Sequence, residues 1–150
     1  MLPKFYRFRI VNEMGAQIDF SGDDANNTFV INAEGWKFDS SGALVYSSSE
    51  LNVFLDPTAN LPDGLAAGGA SQDNSSDLFM GLNCYAKFTT DCASSGRLDI
   101  YYEYSTDGGT TYPSDAADLV ESEDLIFRRS IIHPGGSAGS PQVKAVNFSI

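Results

Sequence analysis

Leu78-Phe79-Met80-Gly81-Leu82-Asn83-Cys84-Tyr85-Ala86-Lys87-Phe88 decides the fold class. Leu78, Met80, Leu82, Cys84, Ala86 and Phe88 alternate with the residues between them. Successive side chains of an extended strand point to opposite faces. Alternation with period two therefore marks a strand with one buried face and one wet face.

The same period recurs outward in both directions. Tyr6, Phe8 and Ile10 share one face, and Arg7 and Arg9 take the other. Leu98, Ile100, Tyr102 and Tyr104 form a further run, with Asp99 and Glu103 opposite. Leu125, Phe127, Arg129 and Ile131 continue the habit, and Lys144, Val146, Phe148 and Ile150 complete it. Turn residues separate the runs: Met14-Gly15, Ser21-Gly22-Asp23-Asp24, Ala33-Glu34-Gly35, Ser40-Ser41-Gly42, Ser94-Ser95-Gly96, Asp107-Gly108-Gly109 and Pro134-Gly135-Gly136. They supply positive φ or side-chain turn bonding where strands reverse. The pattern predicts strands over 4–12, 16–20, 28–32, 35–39, 43–56, 77–90, 97–106, 124–133 and 142–150. The longest of these is expected to bend near Ser47-Ser48-Ser49. Only Asp115 to Glu123, with Ser114 as cap, suits a turn or two of helix.

This spacing is that of an all-β protein: an antiparallel β-sandwich, jelly-roll-like, with long loops. The 150 residues suit one domain spanning 1–150. A domain of that size buries roughly 68–70% of its unfolded surface, enough for a true core. No apolar run reaches the ~18 residues of a membrane span. Met1-Leu2-Pro3-Lys4-Phe5 does not read as a secretory signal. No repeat of the length that builds propellers or solenoids is present.

Nine Lys and Arg against twenty Asp and Glu give a formal charge of −11. Nucleic acid and anionic lipid need clustered cations, so neither is an expected partner. The charge reads as solubility, or as docking onto a basic partner. Cys84 and Cys92 are the only cysteines and are expected to be reduced, with Cys84 buried. His133 is the only histidine, which removes most zinc sites and histidine-based nucleophilic sites. No Gly-x-Ser-x-Gly elbow or phosphate-cradling loop occurs.

Eight carboxylates and no Lys or Arg lie between Asp99 and Asp124. This tract and Asp23-Asp24-Ala25-Asn26-Asn27 are the two weak candidates for calcium, and both lack EF-hand spacing. No other cofactor is expected. Asp99 and Glu103 share a strand face, as a glycosidase pair would, yet any half-exposed strand shows the same pattern. Arg128-Arg129 is the only basic pair, and neighbours on a strand do not make one patch. Trp36 reads as core or interface.

Two loops stand out. Residues 57–76 are long, small and polar, and residues 133–141 read as a flexible excursion. Both suit lying along a neighbouring subunit. The candidate interface residues are Pro57, Asn60, Leu61, Leu65, Tyr101, Arg128, His133 and Pro134.

The sharpest motif is Ser105-Thr106-Asp107-Gly108-Gly109-Thr110-Thr111-Tyr112. It resembles the Asp-box hairpin of sialidase-like propellers, matching at Ser105, Asp107, Gly109, Thr111 and Tyr112. Asp and Ser accept turn N–H bonds, Gly takes a positive φ, and Thr and the aromatic begin a return strand. In those families the hairpin is structural and remote from catalysis. The resemblance therefore implies a tight hairpin and no sialidase.

The longer phrase Tyr102-Glu103-Tyr104-Ser105-Thr106-Asp107-Gly108-Gly109-Thr110-Thr111-Tyr112-Pro113-Ser114-Asp115 resembles virion proteins of tailed bacteriophages. The short acidic all-β chain, its Met1, and its close inside a strand at Ile150 fit that group. The resemblance implies a capsid decoration or cement protein, which clamps neighbouring major capsid subunits, commonly as a trimer, without catalytic residues. It would be made in the host cytoplasm and sit on the capsid surface. A tail or neck component, or a carbohydrate-binding host-attachment module using Tyr101 and Tyr112, are the alternatives. A carboxylate-pair enzyme ranks last.

Overall fold

A computed structural model describes residues 1–20, 26–54, 60–113, 125–137 and 139–150. Among the described residues ten strands form two antiparallel sheets packed face to face. They are β1 (Phe5–Glu13), β2 (Thr28–Phe38), β3 (Leu44–Tyr46), β4 (Leu51–Phe54) and β5 (Ala66–Gly68). After them come β6 (Gln72–Asp73), β7 (Gly81–Thr90), β8 (Gly96–Ser105), β9 (Ile126–His133) and β10 (Gln142–Ser149). Sheet one runs β5-β1-β8-β9, with β6 also on β1. Sheet two runs β10-β7-β2-β3, with β4 also on β2. The chain crosses between layers from β1 to β2, β4 to β5, β6 to β7, β7 to β8 and β9 to β10, while β8 and β9 are neighbours in one layer.

The alternation does what it predicts in the middle of β1, β2, β7 and β8. It fails in β9, where the expected inward residues Phe127 and Arg129 are exposed beyond a register shift, and at Tyr104 near the end of β8. Phe8, Ile10, Leu98, Ile100 and Ile131 face inward from sheet one. Phe29, Ile31, Leu82, Ala86 and Phe88 meet them from sheet two. Burying one such side chain stabilises the fold by about 1.5–3 kcal/mol. Phe29 makes edge contacts with Phe54 and Phe88, at centroid distances of 5.3 and 6.5 Å.

Several expected boundaries move. Segments 28–32 and 35–39 are one strand, because Ala33-Glu34-Gly35 is not a turn. A Cβ on Gly35 would lie 2.6 Å from the Phe79 ring, so the glycine admits that ring against β2. The 43–56 segment divides into β3 and β4 around Ser47-Ser48-Ser49. Residues 16–20 supply no strand, only the bridge between Ile18 and Leu61. The decisive alternation begins at Gly81, not at residue 77. Leu78 takes φ 53° and is exposed, while Phe79 turns inward. The buried Asn74 amide causes this. Its Oδ1 accepts from Phe79 N–H at 2.8 Å, and its Nδ2 donates to Phe79 C=O at 3.0 Å. One side chain thus stands in for a strand neighbour.

The loops are tighter than the composition suggests. Within 57–76, β5 and β6 pair with β1, and Leu61 is buried. Asn12, fully buried, donates to the carbonyls of Ala16 and Leu61 and accepts from Met14 N–H. Within 133–141, Gly136 N–H donates to Cys92 C=O, and Gly139 N–H donates to Asp91. A Cβ on Gly135 would press 2.6 Å from Ala93 O, so the excursion is packed onto the 91–94 turn. The expected helix at 115–123 and its cap Ser114, the Ser21–Asp24 turn and Pro57 lie outside the described residues. No α-helix occurs among the described ones.

Candidate functional surface

The Asp-box-like segment forms a capped turn at the end of β8. Asp107 Oδ1 accepts from the Ser105 hydroxyl at 2.6 Å and from Thr111 N–H at 2.9 Å. Its Oδ2 accepts from the Thr111 hydroxyl at 2.6 Å. These bonds, that to Ser105 first and those to Thr111 next, hold the exposed carboxyl far below the usual aspartate range. Gly108 and Gly109 supply φ of 81° and 84°. The expected return strand is not formed at Thr111-Tyr112. Instead Tyr112 folds back over β1. Its ring carries the Arg7 guanidinium at 4.1 Å, and its hydroxyl meets Ser71 Oγ at 2.5 Å. Tyr112 is buried, so it offers no open ring to a ligand. Ser105, Asp107, Gly109 and Thr111 are spent on the turn, and Tyr112 on Arg7 and Ser71.

The carboxylates weighed for catalysis are also spent. Asp99 and Glu103 lie on the face of sheet one away from the core, which the alternation marks as wet, yet both are buried. Glu103 accepts from Arg7 Nε at 2.6 Å. Asp99 pairs with Arg97 at 2.9 Å and accepts from the Ser130 hydroxyl at 2.5 Å. Among the described residues no group of three or more His, Cys, Asp or Glu could hold a metal.

The candidate interface residues separate into two sets. Asn60, Leu65 and Pro134 are exposed. Tyr101 is half-buried against the Phe127 ring at 5.6 Å, and Arg128 is half-buried over the Tyr102 ring at 5.5 Å. Leu61 and His133 are corrections, because both belong to the interior. His133 packs 5.2 Å from Phe88. Its Nδ1 accepts from Gly135 N–H, which leaves Nε2 as the donor to Gln142 C=O at 3.1 Å. The ring therefore joins β9 to the start of β10, and its polar atoms need no partner outside the chain.

Cys84 and Cys92 are free, and Cys84 is buried, as the sequence led us to expect. Burial pushes the Cys84 thiol up to about 12.

Two apolar patches were not visible in the sequence. The first lies on the flank where β9 and β10, the edge strands of the two sheets, meet. Phe127, Ile132 and Val143 are 52%, 77% and 53% exposed there. The first two lie on the outer face of sheet one opposite Tyr101 and Arg97, and Val143 on the outer face of sheet two opposite Thr89. The second lies at the opposite flank, on β2 and its edge neighbour β3. Register pairs Trp36 with Tyr46 and Phe38 with Leu44, so all four share the outer face. Phe38, Leu44 and Tyr46 are each about half exposed. Trp36 is thus not core. Its ring lies across β7 at Gly81, where a Cβ would come within 2.7 Å of it. Strand parity puts Phe127 on the inward side with Ile131, but the register shift between Ile100 and Tyr101 turns it outward, and only the pairing of separate strands brings the exposed residues together.

Between the flanks, the outer face of sheet two holds a groove of about 730 Å³. Asn32 and Glu34 of β2, Asn83 and Tyr85 of β7, and Asn147 and Ser149 of β10 line it. A smaller crevice of about 250 Å³ opens between the layers beside Tyr102, Ile126 and Arg128.

Compared with protein-family models, curated proteins and solved structures, the chain matches none.

Proposed function

We propose that this chain is a non-enzymatic structural protein of a virion, a decoration or cement module that binds the major capsid protein and stabilises the shell. The observation that carries the reading is the placing of exposed apolar side chains on opposite flanks of one sandwich. Phe127, Ile132 and Val143 occupy one flank, and Phe38, Leu44 and Tyr46 the other. Clustered exposed apolar residues mark partner surfaces. A cement must hold two neighbours at a set distance, and a rigid two-layer body with an adhesive patch on each flank is suited to that. Repetition around a symmetric shell then gives avidity without strong single contacts.

The flank of β9 and β10 has a second property. Both are sheet edges whose outer backbone groups have no ladder partner among the described residues. An extended arm from a neighbouring subunit can add to such an edge. The register shift between Ile100 and Tyr101 against β9 interrupts the regular edge and discourages random self-pairing. The net charge of −11 keeps free copies apart and favours a basic docking surface. Trimeric self-association at threefold positions of the shell completes the reading.

Imaging of the native particle tests it. The expected result is copies spread over an icosahedral shell, each touching two or more major capsid subunits. Paired substitutions on either flank, Phe127→Ser with Ile132→Ser or Phe38→Ser with Tyr46→Ser, then lower occupancy on purified capsids. Copies confined to a neck or tail ring would overturn the cement role in favour of a tail component. A monomer that ignores matching capsids would overturn the virion reading itself.

A further inference from the structure

The groove on sheet two has a chemistry of its own. Its floor is a grid of two rows across β10, β7 and β2: Ser149, Asn83 and Glu34 in one, Asn147, Tyr85 and Asn32 in the next. Strand geometry sets neighbours in a row about 4.8 Å apart and the rows about 7 Å apart. Ser47 to Glu50 stand beside the grid as a wall. That wall is tied to β2, because Ser47 N–H donates to Gly35 C=O at 2.7 Å and Gly35 N–H donates to Ser47 Oγ at 3.1 Å.

The polar groups of the floor are mostly unspent. Ser149 Oγ donates to Asn83 Oδ1 at 3.2 Å. The side chains of Asn32, Glu34, Tyr85 and Asn147 make no hydrogen bond within the described residues. No Lys or Arg lines the groove, whereas Glu34 and Glu50 do. A phosphate, sulfate or carboxylate would meet only like charge. Side-chain amides both donate and accept, and a carboxylate accepts, so the grid suits vicinal hydroxyls. The Tyr85 ring is 44% exposed beside them, placed to cover the C–H face of a sugar ring. The volume lies within the range of small-ligand sites.

We propose that this groove binds a neutral oligosaccharide, with Tyr85 stacking on one sugar ring and Asn32, Asn83, Asn147 and Glu34 bonding its hydroxyls. The site is separate from Tyr101 and Tyr112, whose rings are engaged with Phe127 and Arg7. It is independent of the docking flanks and does not rest on the capsid reading.

The test uses the full chain. An array of neutral and acidic glycans is screened first, followed by calorimetric titration with maltotriose, cellotriose, chitotriose and any neutral hit. At least one neutral oligosaccharide is expected to bind. Tyr85→Ala should weaken it by about tenfold, the loss of one good contact. Asn83→Ala and Asn147→Ala should weaken it by less, and Phe127→Ser should leave it unchanged. Circular dichroism melts identify any variant that fails to fold, and the remaining two then carry the comparison. Binding of acidic glycans alone, no binding at millimolar concentration, or binding indifferent to the folded groove variants would each overturn the proposal. Capsid docking that survives Tyr85→Ala separates this outcome from the outcome for the virion role.

Discussion

Glu103, with no exposed side-chain surface, accepts a 2.6 Å hydrogen bond from Arg7 Nε on the neighbouring strand. The Arg7 guanidinium in turn lies 4.1 Å from the centre of the Tyr112 ring. The pair fastens β1 to β8 on the side of sheet one away from the core, and it joins the Asp-box-like turn to that fastening.

Removing one member of such a pair leaves a buried charge without its partner. Glu103→Ala is expected to cost about 3–5 kcal/mol. For a domain of this size that lowers the melting temperature by ~2–4 °C per kcal/mol. Replacing Arg7 and Glu103 together by Met and Leu should recover much of the loss. A double-mutant cycle by denaturant unfolding checks both expectations. Additive losses would show that the pair is not coupled.

Asp107 supplies the acid limb of stability. Its carboxyl is held below the usual aspartate value of about 3.9 by the hydroxyl of Ser105, then by Thr111. A depressed folded-state pKa means that the contribution is complete above the unfolded value. It is lost as pH falls below about 4 toward the folded value. Asp107→Asn is therefore expected to flatten the pH dependence of stability below about pH 4, and to leave the shape of the curve at neutral pH unchanged. Urea unfolding across that range is the measurement.

Gly35 and Gly96 should resist substitution for steric reasons. A Cβ on Gly35 meets the Phe79 ring at 2.6 Å, and one on Gly96 meets Glu13 O at 2.3 Å. Gly96→Ala faces backbone that cannot swing aside, and is expected to cost more than Gly35→Ala. Overpacking of this kind typically costs about 1–3 kcal/mol. Gly15→Ala meets open space but carries a φ of 74°, so its smaller cost is conformational.

Thiol chemistry should distinguish the two cysteines. Cys84 is buried with its thiol pushed up to about 12, chiefly by desolvation, whereas Cys92 is half-buried. A soluble disulfide reagent at pH 8 is expected to label Cys92 first, with Cys84 reacting only as the chain unfolds. Equal labelling rates in the native protein, read by mass spectrometry, would contradict the packing of Cys84.

Replacing Phe88 by Ala should be among the most damaging core changes. The ring is fully buried and touches Phe20, Phe29 and His133. A loss of about 3–5 kcal/mol is expected. Because His133 loses its ring neighbour as well, hydrogen exchange at Gly135 N–H should accelerate in the same variant.

The fold class and the inward faces of β1, β7 and most of β8 are legible in the alternation alone, whereas the register shift in β9 is not. Tyr6, Phe8 and Ile10, or Leu98, Ile100 and Tyr102, must share a side because the backbone of an extended strand allows no other period. The turn chemistry at Asp107 is legible too, since donors and acceptor lie within four residues of one another. Which outward side chains are exposed follows from packing between strands. Parity puts Asp99, Glu103 and Asn83 all outside. Arg97, Ser130 and Arg7 cover the first two, and nothing among the described residues covers the third in the same way. Parity likewise cannot say that Asn74 turns Phe79 inward, or that β2 and β3 gather Trp36, Phe38, Leu44 and Tyr46. Strand period is a local property of the chain. Strand order, register and the groove between Asn32, Tyr85 and Asn147 follow from contacts between residues far apart in sequence.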